Sequence, residues 1–463
     1  MNINIKCYTQ KIFADQITPI GIYLNVRDLF PGSILLESSE IDDTANAHSI
    51  ICAKIIGGFQ LTSKGVVKHY KGNRTEKLIE SIERIQDEMQ SFFQSFSIQG
   101  KYDGINGFFG FQAFEAIHFF ETKKANVCTV LPNISLIDYR LFQYVISINH
   151  FNGEVTFIEN TDPGSQSTLK EFVSQVLTAR LSTYPFAITS EEVSNCTDEQ
   201  FISNVKKAQA HCKRGDVFQM VLSKKFSRNY KGDEFNLYRA LRHINPSPYM
   251  FFFDFGTYKI FGSSPEAQIR ITENEATVNP IAGTYKRTGD KVQDEQRAKD
   301  LLLDQKELAE HAMLVDLARN DLSRHCTEVE VAAYKSIHKY SHVIHMVSTV
   351  KGKLNGQQNN VEVLADTFPA GTLSGAPKVK AIQILAELEN DPRGFYGGSI
   401  GFVDFNGNIN QAIIIRSFFA QNNTIHYRAG AGVVLHSVPE NELQEVDNKL
   451  AALRKAIVAA EKL

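Results

Sequence analysis

VFQMVLSKKF (217–226), YMFFFDFG (249–256), YKIFGSS (258–264) and AQIRITENEATVNP (267–280) are the stretches on which the fold turns. Each is nearly continuous in apolar residues and rich in the aromatic and β-branched types that suit a pleated sheet. IHMVSTVKGKL (344–354) and SIGFVDFNGNINQAIIIRSFFA (399–420) continue the texture, the second folding back at Asn406-Gly407, a hairpin signal. Hairpins without strict β-α-β alternation predict an α+β fold with large, mostly antiparallel sheets.

Outward from these strands, the spacing predicts a long helix over 291–323, a loop at FPAGTLSGAPK (368–378), a helix to about 389 and a last helix from about 439. Upstream, SILLES (33–38), HSIICAKIIGGFQL (48–61), GFFGFQAF (107–114) and YVISINHFNGEVTFIEN (144–160) read as strands, the last with a turn at Asn152-Gly153. TEKLIESIERIQDEMQSFFQSF (75–96) has helical spacing, residues 170–210 read as helical, and TDPGSQST (161–168) reads as a linker. Two regions result, an N-terminal one over 1–165 and a second over 190–463.

Composition narrows the function classes. The chain has 463 residues, 43% hydrophobic and 22% charged, with 49 Lys plus Arg against 52 Asp plus Glu. That balance gives no basic surplus for nucleic acid or an anionic membrane. The 6 cysteines are scattered without a C-x-x-C pair, as expected of reduced thiols in a cytoplasmic protein. No apolar run approaches the ~20 residues of a spanning helix, and MNINIKCYTQK has no signal-peptide core.

Generic motifs fail in context. Gly397-Gly398-Ser399-Ile400-Gly401 fits G-x-S-x-G, but a strand and a turn follow it where a nucleophile elbow needs a helix. GTLSGAPK lacks the Gly before and the Ser or Thr after Lys378 that a P-loop requires.

Helical carboxylates are more informative. In KELAEHAMLVDLARNDL (306–322), Glu310 shares a face with Leu303, Leu314 and Leu317. A carboxylate on an apolar stripe must be paired or must ligate a metal, and Arg319 or Arg416 would serve as an ion-pair partner. In the last helix Ser437-Val438-Pro439-Glu440 reads as a capping-box start, and Glu442, Glu445 and Lys449 flank a stripe of Leu443, Val446, Leu450, Leu453 and Ile457. There Glu445 and Lys449 form an i,i+4 pair. Three glycine-rich turns, Ala282-Gly283-Thr284, Ala370-Gly371-Thr372 and Ala429-Gly430-Ala431-Gly432, offer bare backbone N–H groups. With Arg416 and the carboxylates they suggest a small polyanionic ligand held through a hard cation, for which oxygen ligands favour Mg²⁺.

From about residue 195 to 460 the chain resembles the chorismate-utilising enzymes. The ordered set FQMVLSKKF, NPSPYMFFF, FGSSPE, NPIAGT, ELAEHAMLVDLARNDL, HVIHMVS, FPAGTLSGAPK, RGFYGGSIGF, QAIIIRS and YRAGAGVVLHSVPENELQEVDNK carries the likeness, and LLES with GFFGFQAFE extends it to the anthranilate synthase component I branch. The resemblance implies two mostly antiparallel sheets packed face to face with helices outside. Within the family, isochorismate and salicylate synthases activate water with a Lys where this chain has Gln219, which cannot act as a general base. Aminodeoxychorismate synthases, the alternative branch, typically carry a nucleophilic Lys where this chain has Ala282. An external nucleophile is needed, and ammonia fits.

The resemblance implies roles residue by residue. Glu310 and Glu445 become Mg²⁺ ligands holding the ring carboxylate of chorismate. Glu266 becomes the acid that helps expel the C4 hydroxyl. Tyr396, Arg416 and the backbone of Gly430, Ala431 and Gly432 become the grip on the pyruvyl carboxylate, with Gly283 and Thr284 as a second contact. His345 becomes the histidine of the elimination step. The resemblance also implies a separate glutamine amidotransferase subunit as ammonia source. It implies tryptophan feedback through Leu36-Glu37-Ser38 and Pro248-Tyr249-Met250.

Overall fold

A computed structural model describes residues 2–13, 17–38, 48–100, 102, 104–120, 134–179, 182–339, 343–354 and 360–463. Its centre is the Tyr249–Asp254 strand, paired antiparallel to Tyr258–Ser264 on one side and to Ile34–Glu37 on the other. Every residue of this strand except its two ends is buried, because both faces of the sheet are covered. Side chains alternate across a strand, so Phe251 and Phe253 enter one core while Met250 and Phe252 enter another.

The first sheet runs from Ile3–Phe13 through Glu154–Thr161, Ile137–Asn149, His48–Thr62, Ile34–Glu37, Tyr249–Asp254, Tyr258–Ser264, Ser417–Gln421 and Thr424–Val433 to Gln219–Gly232. The second leaves the same long Ile137–Asn149 strand through Gly107–Gln112, Ser399–Asp404, Ile409–Ile413, Ala267–Thr272 and Glu275–Val278 to Val343–Leu354. Ile281–Lys286 and Cys326–Lys339 pair with that last strand. Between the two sheets lies an aromatic core containing Phe109, Phe111, Phe251, Phe253, Ile269 and Ile400. Outside the first sheet, Phe252 and Phe261 pack with Phe235, Leu450 and Leu453 from helices. The expected arrangement of two face-to-face antiparallel sheets with helices outside is the one observed. N-terminal strands complete both sheets, so the 1–165 and 190–463 regions are joined by backbone pairing.

Several boundaries differ from expectation, each for a local reason. The helix expected over 291–323 is two, Lys291–Leu301 and Gln305–Ser323, because Asp304 caps the second through the N–H groups of Lys306 and Glu307. The helix expected over 75–96 is confined to Ile85–Gln94, since Asn73–Leu78 is captured as a hairpin strand by Gly65–Tyr70. Likewise residues 170–210 hold the helices Leu169–Thr178 and Asp198–Arg214 with strands between them. The last helix is Pro439–Ala460, but its N-cap is Val438 and the Ser437 hydroxyl accepts from the Val434 N–H. Gly430-Ala431-Gly432 forms no turn; it is strand, paired with Ser223-Leu222-Val221.

Candidate active site

Two helices present carboxylates to one cleft. Gln305–Ser323 carries Glu307 and Glu310 on successive turns, and Pro439–Ala460 carries Glu442 and Glu445 at the same spacing. Glu310 Oε1 accepts from Gln219 Nε2 at 2.8 Å; it pairs with neither Arg319, which reaches Asp316, nor Arg416. Glu445 Oε1 lies 2.7 Å from Lys449 Nζ, which also donates to the Gly430 carbonyl at 2.9 Å. Burial, with the charge of Glu310 and further help from Asp304 and Glu445, pushes the Glu307 carboxyl up to about 7 against the pull of Lys306. Burial and the neighbouring Glu445 likewise raise Glu442. Such mutual repulsion marks an excess of negative charge that a bound cation would relieve.

Among the described residues, no three His, Cys, Asp or Glu side chains already form a metal cage. The donor set itself, four carboxylates with neither Cys nor His, suits a hard oxygen-seeking divalent ion.

Opposite the carboxylates stand an acid and a cation. Glu266 is buried between two strands, and its Oε1 accepts from Thr372 Oγ1 at 2.9 Å. Burial lifts its carboxyl to about 7, against Thr372, Lys449 and Arg416, so near neutrality it can give a proton. Arg416 adopts a left-handed backbone at φ 49°, unusual for a residue with a side chain. Its guanidinium makes no side-chain hydrogen bond or ion pair with the described residues, and burial holds it below its ordinary range despite Glu266 nearby. A half-buried fork of N–H donors without its own counter-ion is a carboxylate site in waiting.

Close backbone approach explains the glycines. A Cβ on Gly430 would lie 3.0 Å from the Tyr396 hydroxyl, and one on Gly432 would lie 2.7 Å from Gln219 Nε2. Gly283, at φ 73°, would drive a Cβ to 2.6 Å from Leu301 and 3.2 Å from Glu307 Oε2. His345 Nδ1 meets the Gly283 carbonyl at 3.1 Å. Burial, then the charge of Arg416, pushes its imidazole down to about 4. Thr284 pairs through its backbone with His345, while its side chain lies outside the described residues.

The loop bearing Tyr396 is anchored from both regions. Glu115 accepts from the N–H groups of Arg393 at 2.7 Å and Gly394 at 3.0 Å. The Arg393 guanidinium donates to Glu389 at 2.7 Å and to the Leu373 carbonyl at 2.6 Å.

One cleft therefore gathers Glu266, Gly283, Glu310, His345, Tyr396, Arg416, Gly430 and Glu445. Sequence reasoning missed Glu307, Thr372 and Glu115, and gave Glu442 and Lys449 only a flanking place. The signal for two of these was present, an E-x-x-E spacing repeated at 307–310 and 442–445.

Ser38, Pro248, Tyr249 and Met250 lie elsewhere. They line a second pocket together with Leu36, Glu37 and Arg270. Pairing of Met250 with Glu37 across the Tyr249–Asp254 edge brings the two segments together.

This cleft, on this pair of sheets, defines a class: the chain belongs to the chorismate binding enzyme family, which its sequence matches over residues 45–455. Within that family it is 37% identical to anthranilate synthase component 1 of Aquifex aeolicus over 484 residues, spanning 99% of this chain and 96% of that protein. Anthranilate synthase component I from Streptococcus pneumoniae superposes with a TM-score of 0.77 at 30% identity, over 88% of this chain and 92% of that one. The menaquinone-specific isochorismate synthase of Escherichia coli shares the fold, with a TM-score of 0.76 at 20% identity over 98% and 94% of the two chains.

Proposed function

We propose that this chain is the synthase component of an anthranilate synthase, converting chorismate and ammonia to anthranilate, pyruvate and water. The observation that carries the reading is the nearness of Glu266, held near neutrality as an acid, to Arg416, a half-buried guanidinium that lacks a counter-ion among the described residues. Arg416 and the Gly430 backbone would take the pyruvyl carboxylate, with Tyr396 closing over it. Glu266 would protonate the C4 hydroxyl as ammonia adds at C2. His345, kept neutral by burial, would accept the C2 proton as pyruvate leaves. Glu307, Glu310, Glu442 and Glu445 would hold Mg²⁺, which withdraws electron density through the ring carboxylate and fixes the ring. Lys449, bonded to Glu445 and to the Gly430 carbonyl, would add a cation beside the metal-binding carboxylates.

Neither Gln219 nor Ala282 supplies a nucleophile, so nitrogen comes from outside, in the cell from a separate glutamine amidotransferase subunit. The pocket at Ser38, Pro248, Tyr249 and Met250 would bind tryptophan as feedback inhibitor. Among the described residues no helix is long and apolar enough to cross a membrane.

The test is incubation with chorismate, Mg²⁺ and an ammonium salt, followed by anthranilate fluorescence. Product is expected with ammonium, and none with glutamine until an amidotransferase subunit is added. Absence of anthranilate with ammonium overturns the reading.

A further inference from the structure

His311 lies within the carboxylate-bearing helix, yet nothing in the chemistry above uses it. It is fully buried, as is Ser348, and its Nε2 lies 2.6 Å from Ser348 Oγ. Ser348 is itself a junction. Its Oγ accepts from the Lys335 N–H at 3.0 Å, and its own N–H donates to the Pro280 carbonyl at 3.1 Å. Lys335 sits at φ 57° within a bulge of the Cys326–Lys339 strand, where its N–H is turned out of the ladder and toward this hydroxyl.

The neighbours of this bond matter. His311 follows Glu310 directly and stands one helical turn beyond Glu307. Ser348 stands three residues beyond His345 on one strand. His345 reaches the Gly283 carbonyl, and Gly283 abuts Glu307. The path from Glu307 down the helix to His311, across to Ser348, along the strand to His345, across to Gly283 and back to Glu307 is closed. Removing one link opens the ring. Apolar packing alone lets a helix slide along a sheet by a fraction of a turn; a short directional bond between buried groups does not.

We propose that His311 is a positioning residue: through Ser348 it locks the helix bearing Glu307 and Glu310 against the strand bearing His345, fixing the cation-binding carboxylates relative to Gly283 and His345. The inference rests on the reading of those carboxylates given above.

The experiment compares wild type with His311→Leu, Ser348→Ala and His311→Gln. Mn²⁺ affinity is measured first, by electron paramagnetic resonance of the free ion, without chorismate. Steady-state kcat and KM and the melting temperature follow. His311→Leu and Ser348→Ala are each expected to weaken Mn²⁺ binding and to lower kcat by about tenfold, the range for loss of a partner supporting metal ligands. KM for chorismate, measured at saturating metal, should stay within about twofold, since the pyruvyl carboxylate meets Arg416 and the strand backbone, which the bond does not touch. His311→Gln, whose amide can reach the same hydroxyl, should recover much of both losses. If His311→Leu fails to fold, Ser348→Ala decides, because it removes the bond and little packing. A lower melting temperature with Mn²⁺ affinity and kcat unchanged overturns the proposal. A wild type that makes anthranilate but binds no Mn²⁺ overturns the carboxylate reading and this one together, whereas a wild type that makes no anthranilate overturns the assigned reaction.

Discussion

Glu115→Gln should make the protein markedly more stable at pH 8 and only slightly more stable at pH 5. The carboxyl is 4% exposed, and burial pushes it up to about 7 from an ordinary 4.5, even though the Arg393 and Gly394 N–H groups favour its charged form. Because the folded value is the higher one, the stabilising contribution is complete below pH 4.5 and is lost as pH rises through 7. At 1.36 kcal/mol per pH unit, that separation amounts to ~3 kcal/mol lost between pH 4.5 and 8. Glutamine mimics the protonated acid. Its carbonyl at the Oε1 position can still accept from Arg393 and Gly394, which lie 2.7 and 3.2 Å from that atom. Urea unfolding of both proteins at pH 5, 6, 7 and 8 is the assay. The variant's advantage should grow from under ~1 kcal/mol at pH 5 toward ~3 kcal/mol at pH 8. Other raised carboxyls are present in both proteins and cancel in the difference. A difference that stays flat across this range refutes the reasoning, as would a variant less stable at every pH.

Glu310→Gln or Glu445→Gln should abolish turnover while the circular dichroism spectrum and melting curve stay near those of wild type, and Mg²⁺-dependent activity close to normal would refute their assignment. kcat/KM should fall as pH rises through about 7, where Glu266 loses its proton, and a pH profile flat from 6 to 9 would remove it as the acid. His345→Met should slow elimination more than addition, so that rapid quench finds accumulated amino intermediate; equal slowing would leave His345 a supporting role. Ser38→Arg should raise the tryptophan concentration needed for inhibition without much change in uninhibited rate, and superimposable inhibition curves would sink the pocket as the regulatory site.

The strands were legible because burial on both faces leaves an unmistakable trace: YMFFFD has no polar residue before Asp254, and no surface strand could be so written. Helix ends were less so. Asp304 reads as an ordinary charged residue until its oxygen is seen on two backbone N–H groups, and only that contact breaks the helix expected over 291–323. Lys77 and Glu80 look equally good on a helix, but pairing with Gly65–Tyr70, a tertiary fact, takes Lys77 into a hairpin. Within the site, the apolar stripes beside Glu310 and Glu445 fit an ion pair as well as a metal, and only the resemblance singled the two out. Glu307 left one local trace, the E-x-x-E spacing it shares with Glu442 and Glu445, while the approach of Gly283 that distinguishes it is a tertiary fact. Thr372 acts through one hydrogen bond and Glu115 through several, all to distant partners, which no local pattern records.

The sharing of both sheets between the two ends of the chain sets the order in which the protein can be made. Gly107–Gln112, with Phe108, Phe109 and Phe111 among its residues, needs Ser399–Asp404 on its far edge, and Glu115 meets the Arg393 N–H across 278 residues. At the usual 5–20 residues per second, a ribosome leaves that edge open for tens of seconds. During that time the nascent N-terminal half is an aromatic sheet with unsatisfied backbone on two sides, the kind of surface that recruits other strands. Folding here ends on the late closure of a long loop, which contact order makes slow. A newly made chain that stops short of residue 399 leaves the Gly107–Gln112 edge without its partner, an open template for another strand.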